Sequence, residues 1–216
     1  MSSAAAYSHY VFDLDGTLVD SICGIDASAR AALAELAPEA SLPSLRSFIG
    51  PPIRQMLERA LRWSDPTRLD ALEVAFRRHY DGGGWRDSPP YPDVANTLHR
   101  LHTNGATLFV LTNKPPIPAA RIIEQLGWTP LFESIVSPQS SQPPFLNKAA
   151  AALDLRDRLR LPATTTLLVG DSADDLEAAH AAGFAFAAAR WGYGTAANLA
   201  PDRTLDTVAQ LLPPPA

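Results

Sequence analysis

The stretch Tyr10–Ser21, YVFDLDGTLVDS, decides the fold. A short apolar run breaks off into two carboxylates, Asp13 and Asp15, followed at once by Gly16. A run this brief, bounded by turn residues, reads as a buried strand of a parallel sheet. Four similar runs follow: ATLFVLTNK from Ala106, FESIVS from Phe132, TTLLVGD from Thr165 and FAFAAA from Phe184. Between them apolar residues recur at helical spacing, as in Val94, Leu98 and Leu101, then Ile122, Ile123 and Leu126, then Leu176, Ala179 and Ala182. The alternation predicts an α/β fold with a doubly wound, Rossmann-like parallel sheet.

One interval breaks that alternation. From residue 19 to residue 91 only helical patterns occur, over Ile25–Leu36, Ile53–Trp63 and Arg68–Tyr80, punctuated by Pro43, Pro51, Pro52 and Pro66. A crossover between parallel strands needs only about a dozen residues, so this segment is expected to form a body of its own. The predicted division is an α/β core of residues 1–18 and 92–216 with an inserted α-helical cap domain at 19–91. The return linker DGGGWRDSPPYPDV joins Gly82, Gly83 and Gly84 to Pro89, Pro90 and Pro92, a mixture of flexible and stiff units that suits a hinge.

Composition narrows the function. The 216 residues carry 23 acidic and 18 basic side chains, a net charge of −5, which provides no basic footprint for nucleic acid or anionic lipid. Cys23 is the only cysteine, so no disulfide can form within the chain and a reducing compartment is expected. The first residues lack the pattern of a signal peptide, and the run AAGFAFAAA is too short to cross a membrane. These features predict a cytoplasmic protein that binds no nucleic acid and no membrane, and they leave monomer or homodimer open. The C-terminal PPPA is expected to fray.

In an open parallel sheet, ligands bind beyond the carboxyl ends of the strands, and the distinctive polar residues fall there. Asp13 and Asp15, two apart, point to the same side of an extended chain. Gly16 permits a tight turn that brings backbone N–H groups close to an anion. The second run ends in Thr112, Asn113 and Lys114, and the fourth leads into GDSADDLEAAHAAG, with Asp171 and Asp175 four residues apart. Each feature alone has an ordinary reading as a turn, a helix cap or a dipole partner. Together, four carboxylates around one crevice call for a hard divalent cation, and oxygen ligands beside a phosphate favour Mg²⁺. Lys148 opens the helical run KAAAALDL, an unfavourable place for a cation unless an anion compensates it.

The basic residues divide into sixteen Arg and two Lys, Lys114 and Lys148. Where composition favours Arg so strongly, a retained lysine suggests a need for a compact ammonium that a planar guanidinium cannot replace. Lys148→Arg is therefore expected to lose most activity. Lys114, read as a rim or surface residue, is expected to tolerate the same change better.

In order, DLDGTLVDS, LTNKP, a later lone lysine and VGDSADDLEAAHAAG resemble the haloacid dehalogenase superfamily, specifically its phosphatases with a helical cap near the N-terminus. FIGPP, TNKP and WGYGT add a likeness to phosphoglycolate phosphatases and related small phosphohydrolases. The resemblance implies Asp13 as the nucleophile, Asp15 as general acid and base, and Thr112 and Lys148 as partners of the phosphoryl group, with Gly16 and Asn113 beside them. It implies a small phosphorylated metabolite as partner, and Mg²⁺ at Asp13, the backbone carbonyl of Asp15, and Asp171, with Asp175 direct or through water. Two departures stand out. Ala149 follows Lys148 where relatives often have Pro, and Asp93 occupies a position often held by Gly.

The presence of Asp15 points to phosphoryl transfer rather than dehalogenation, whose leaving group needs no proton. A pyrophosphatase, a 5'-nucleotidase, a β-phosphoglucomutase-like enzyme, a phosphoaccepting receiver domain and a binding protein without turnover remain open alternatives. Arg54 and Arg46 are candidates for a second anionic group of the substrate, and Trp191 and Tyr193 for a loop near the site.

Overall fold

The computed structural model describes residues 7–194, 198 and 200–213; the N-terminal hexapeptide, Thr195 of WGYGT and the last three residues of the PPPA tail lie outside them. Six strands form one parallel sheet: β1 (His9–Phe12), β2 (Thr107–Leu111), β3 (Phe132–Val136), β4 (Thr166–Gly170), β5 (Ala185–Ala189) and β6 (Arg203–Leu205), in the order β3-β2-β1-β4-β5-β6. The five apolar runs each supply a strand. The sixth, three residues on the sheet edge with Arg203 and Thr204 exposed, has no apolar run to announce it.

Four helices join these strands: α4 (Val94–Thr103), α5 (Pro116–Gln125), α6 (Lys148–Leu159) and α7 (Ala173–Ala182). Alternate residues of each strand feed one core or the other. Val11, Phe109, Leu168 and Phe186 meet the alanine faces of α6 and α7, including Ala151, Ala152, Ala178 and Ala182. Phe12, Val110 and Val169 share the opposite core with Leu98, Ile122 and the helices of the 19–91 segment. Burying each of the larger side chains stabilises the fold by roughly 1.5–3 kcal/mol.

Between β1 and α4 lie only helical elements: α1 (Ile22–Leu36), α2 (Ile53–Leu61), α3 (Pro66–Gly82) and two short 3₁₀ turns, Leu45–Phe48 and Gly84–Arg86. Asp65 caps α3 by accepting hydrogen bonds from the N–H groups of Thr67 and Arg68, and Pro66 stands in the first turn, where its missing N–H costs nothing. Chain entry and exit run side by side. Asp20 N donates to Pro89 O at 2.8 Å and Tyr91 N to Leu18 O at 3.1 Å.

The glycine run is less free than its composition suggests. Helix α3 continues through Gly82, and Gly84 abuts α1 so closely that a Cβ there would overlap Ser28 Oγ. Packing, rather than flexibility, accounts for Gly84. Asp93 adopts a left-handed conformation, φ 63°, at the start of α4, in keeping with a position that glycine would otherwise fill. Among the described residues no helix is long and apolar enough to cross a membrane.

Candidate active site

The strand order places β1 between β2 and β4, at the point where the winding of the sheet reverses. Crevices form at such points because the chain leaves adjacent strands in opposite directions. Phe12 is in register with Val110 and Val169. Asp13, Thr112 and Asp171 therefore emerge together, one or two residues past those partners.

Asp13, Asp171 and Asp175 are buried and bring carboxylate oxygens within 4.8 Å of one another. Lys148, 3% exposed, places Nζ at 2.5 Å from both Asp13 Oδ1 and Asp175 Oδ1. Its position follows from local sequence: Asn147 Oδ1 caps α6 by accepting from Ala150 N at 2.9 Å, which makes Lys148 the first helical residue. Asp175 belongs to the capping box of α7, its Oδ2 accepting from Ser172 N at 2.9 Å and Ser172 Oγ at 2.6 Å. Both oxygens of Asp175 thus have protein partners.

Asp171 Oδ2 accepts from the backbone N–H groups of Tyr193 and Gly194, at 2.7 and 2.8 Å. The loop that supplies them is fixed at both ends. Trp191 Nε1 donates to Thr17 O at 3.0 Å, and the Tyr193 hydroxyl donates to Asp20 Oδ1 at 2.5 Å while accepting from Ile22 N at 3.1 Å. Beneath the loop, a Cβ on Gly16, Gly192 or Gly194 would overlap Asp171. Gly16 also takes φ +91°, which a side chain would strain.

The electrostatics follow from this crowding. Burial raises Asp13 well above the ordinary carboxylate range, Asp175 and Asp171 add to the rise, and Lys148 opposes it. Asp171 is pushed up to about 6, first by burial and then by Asp175. Burial disfavours charge on Lys148, but Asp13 and Asp175 more than offset it and hold the ammonium above its ordinary range. Ionised together, the three carboxylates would outnumber the one ammonium by two charges, which, on top of burial, favours protonation of Asp13 and Asp171 when no cation is bound. A donor set made entirely of carboxylate oxygens with that deficit fits a hard divalent cation.

Asp15 departs from the four-carboxylate expectation. Its carboxylate stands outside the trio, with Oδ2 at 2.9 Å from Lys114 Nζ and Oδ1 buried without a hydrogen-bond partner. Lys114 is no surface residue: it is 8% exposed and lies 4.7 Å from the centre of the Tyr80 ring. Thr112 is buried, and its Oγ1 accepts from Lys114 N at 3.1 Å. Asn113 Nδ2 donates to Gly50 O at 2.8 Å and to Asp174 Oδ2 at 2.9 Å, which links the end of β2 to the FIGPP segment.

A cleft of about 590 Å³, counting its open mouth, lies over Asp13, Asp15, Thr112 and Lys114. Its opposite wall comes from α1–α3 and FIGPP and is mostly apolar, with Ile53, Met56 and Phe76. Arg54 and Arg46 do not line it. Arg54 reaches Asp70 on α3 at 2.8 and 3.0 Å, and Arg46 stacks 5.0 Å from the centre of the Tyr193 ring. The cleft-lining arginine is Arg77, which sequence reasoning passed over. Glu73 and Arg77, four apart on a helix, look like a solvated surface pair, and no local signal marks the cleft side of α3.

Residues 10–189 match the family model of haloacid dehalogenase-like hydrolases. The chain belongs to the haloacid dehalogenase-like hydrolase family. Among curated proteins similar to this chain, the phosphoglycolate phosphatase of Aliivibrio fischeri is 34% identical over 190 residues, spanning 84% of this chain and 83% of that protein. The phosphoglycolate phosphatase of Cereibacter sphaeroides is 35% identical over 192 residues, 85% of each. A solved structure, that of a predicted phosphoglycolate phosphatase from Haemophilus somnus, superimposes with a TM-score of 0.84 at 28% identity, covering 97% of this chain and 98% of that one.

Proposed function

We propose that this haloacid dehalogenase-like hydrolase is a Mg²⁺-dependent phosphatase of small phosphorylated metabolites, phosphoglycolate among them, working through an aspartyl-phosphate intermediate. The observation that carries the reading is Lys148 held between Asp13 and Asp175, beside Asp171, under a cleft. A carboxylate nucleophile divides a difficult hydrolysis into two easier displacements. Positioning and charge neutralisation supply most of the rest.

In the first displacement an oxygen of Asp13 attacks phosphorus and the ester oxygen leaves. Asp15 gives that oxygen a proton from Oδ1, the carboxyl oxygen that Lys114 leaves free. In the second, Asp15 takes a proton from water, which attacks the phosphoryl group on Asp13 and restores the carboxylate. Thr112 donates a hydrogen bond to the phosphoryl oxygens, and Lys148 offsets their charge while keeping Asp13 aimed. Gly16 and Asn113 border the same phosphate position.

Mg²⁺ would be held by Asp13, the backbone carbonyl of Asp15, and Asp171, with Asp175 direct or through water, and would supply charge stabilisation to the transferring phosphoryl group. Residues 19–91 serve as the cap that selects the substrate, and 1–18 with 92–216 carry the chemistry. The test is hydrolysis of a panel containing phosphoglycolate, pyrophosphate, nucleoside monophosphates and sugar phosphates, with and without EDTA. EDTA-sensitive release of phosphate from small monoesters is expected. No release from any of them, or release only from pyrophosphate, overturns the reading.

A further inference from the structure

Of the three basic side chains around the catalytic carboxylates and the cleft, two already have buried anionic partners. Lys148 is held by Asp13 and Asp175, and Lys114 by Asp15. Arg77 differs. It stands on α3 between Phe76 and Tyr80 in sequence and lines the cleft, where a single nitrogen, Nη2, donates to Glu73 Oε1 at 3.1 Å. Glu73 does not line the cleft. Nε and Nη1 have no hydrogen-bond partner among the described residues, and the side chain is 29% exposed. Tyr80 and Phe76 are buried and stacked, 5.3 Å between ring centres, so the helix that presents Arg77 is firmly seated.

A guanidinium with Nε and Nη1 open, on a wall that also presents Ile53, Met56 and Phe76, is suited to donate charge-assisted hydrogen bonds to an anion in the cleft. The phosphoryl end of a substrate is served by Asp13, Thr112 and Lys148 across the cleft. With that end at Asp13, the rest of a substrate extends into the cleft that α3 helps to line. A second negative charge there would need its own partner, since neither Lys114 nor Lys148 is free and a mostly apolar wall cannot solvate it.

We propose that Arg77 is the specificity-determining residue of the cap, binding the carboxylate of a short phosphorylated acid through the donors that Glu73 leaves open. The proposal rests on the phosphatase reading above and gives it a substrate class: phosphomonoesters whose leaving group carries a carboxylate. Glu73 orients the guanidinium from behind and competes for it in the empty cleft. The apolar wall then packs against the short carbon chain between the two anions.

The test compares phosphoglycolate with ethyl phosphate, which has the same chain length but no carboxylate, in the full-length protein with Mg²⁺. Wild type is expected to prefer phosphoglycolate in kcat/KM. In Arg77→Met the ratio of the two kcat/KM values should fall by about 10–100-fold, carried by KM for phosphoglycolate rather than by kcat, and Arg77→Lys should restore part of it. Glu73→Gln should lower KM for phosphoglycolate. An equal loss on both esters, a loss seen in kcat alone, or no change in the ratio overturns the assignment while leaving the phosphatase reading intact. Failure of wild type to hydrolyse phosphoglycolate also overturns the assignment, whereas the phosphatase reading falls only when the whole panel of monoesters fails.

Discussion

Lys114 Nζ lies 2.9 Å from Asp15 Oδ2, in an ion pair whose lysine is buried and whose aspartate is partly so. The same ammonium packs 4.7 Å from the centre of the Tyr80 ring, so one lysine joins the proposed general acid to a helix of the 19–91 segment. Its charge is secure: burial opposes it, yet Asp15 and Tyr80 hold it above the ordinary range. A planar guanidinium does not fit a slot shaped for a point charge between a carboxylate and a ring face. Lys114→Arg and Lys148→Arg should therefore both lose activity, by about 10-fold or more, in place of the milder effect at Lys114 that its sequence context suggests. Steady-state kinetics of the two variants on one substrate decide the matter, and full activity in Lys114→Arg would refute a role for the pair.

Asp13→Asn should abolish turnover, by at least about 10³-fold, without lowering the melting temperature in the absence of metal. Burial and two neighbouring carboxylates already disfavour charge on Asp13, so a neutral isostere relieves repulsion while retaining shape. Activity and thermal unfolding measured on the same preparation test both halves. A large fall in Tm would show that the Lys148 contact outweighs that repulsion.

Asp171 gives a pH dependence with a definite sign. Its native value of about 6 lies above the ordinary 3.8, so between those limits the folded chain binds more protons there than the unfolded chain does. Stability contributed by this group consequently falls as pH rises through the window, and the penalty is complete above it. A divalent cation that binds the charged carboxylates offsets the penalty and competes with protons. Added Mg²⁺ should raise Tm by a few degrees near pH 7.5 and by much less near pH 5. Equal shifts at the two pH values would count against the buried trio as the cation's site.

Tyr193→Phe removes the hydroxyl that holds both Asp20 Oδ1 and Ile22 N. A hydrogen bond to a carboxylate contributes about 1.5–3 kcal/mol, and this one is partly buried. Unfolding experiments should show a loss in that range, with faster amide exchange at Ile22. Unchanged exchange there would mean that the contact does not restrain the crossing segment.

Asp93→Gly should stabilise the fold slightly, by up to about 1 kcal/mol, because relief of the left-handed strain exceeds the added freedom of the unfolded chain. Asp93→Ala should destabilise it by a similar amount. Denaturant unfolding of the pair is sufficient, and Gly and Ala variants of equal stability would contradict the strain argument.

The sheet was legible because its strands are buried on both faces and so appear as uninterrupted apolar runs, from YVF to AFAAA. Strand β6 was not, since an edge strand of three residues buries only Leu205. The carboxylate trio could be read from strand ends and helix starts, where local chain direction fixes the side chain. The cap side of the cleft resisted the same treatment. Arg54, Arg46 and Arg77 all sit in or beside helices with acidic or aromatic neighbours, and only the packing of α1, α2 and α3 determines which one reaches the cleft. The burial of Lys114 was hidden for a related reason, although its place at the cleft matches a rim position: a lysine next to a turn gives no local sign that Tyr80, thirty-odd positions earlier, closes over it.

Gly16, Gly192 and Gly194 approach Asp171 so closely that none can acquire a side chain without displacing that carboxylate or the backbone around it. Gly16 near the start of the chain and the Gly192–Gly194 loop near its end are thereby tied to one carboxylate, and the floor of the site tolerates no added side chain at these positions. Ile53, Met56, Phe76 and Arg77 come from helices that contribute no carboxylate to the trio. Under the proposed function these wall positions, rather than the floor, are the ones a selection experiment for a new substrate would be expected to enrich.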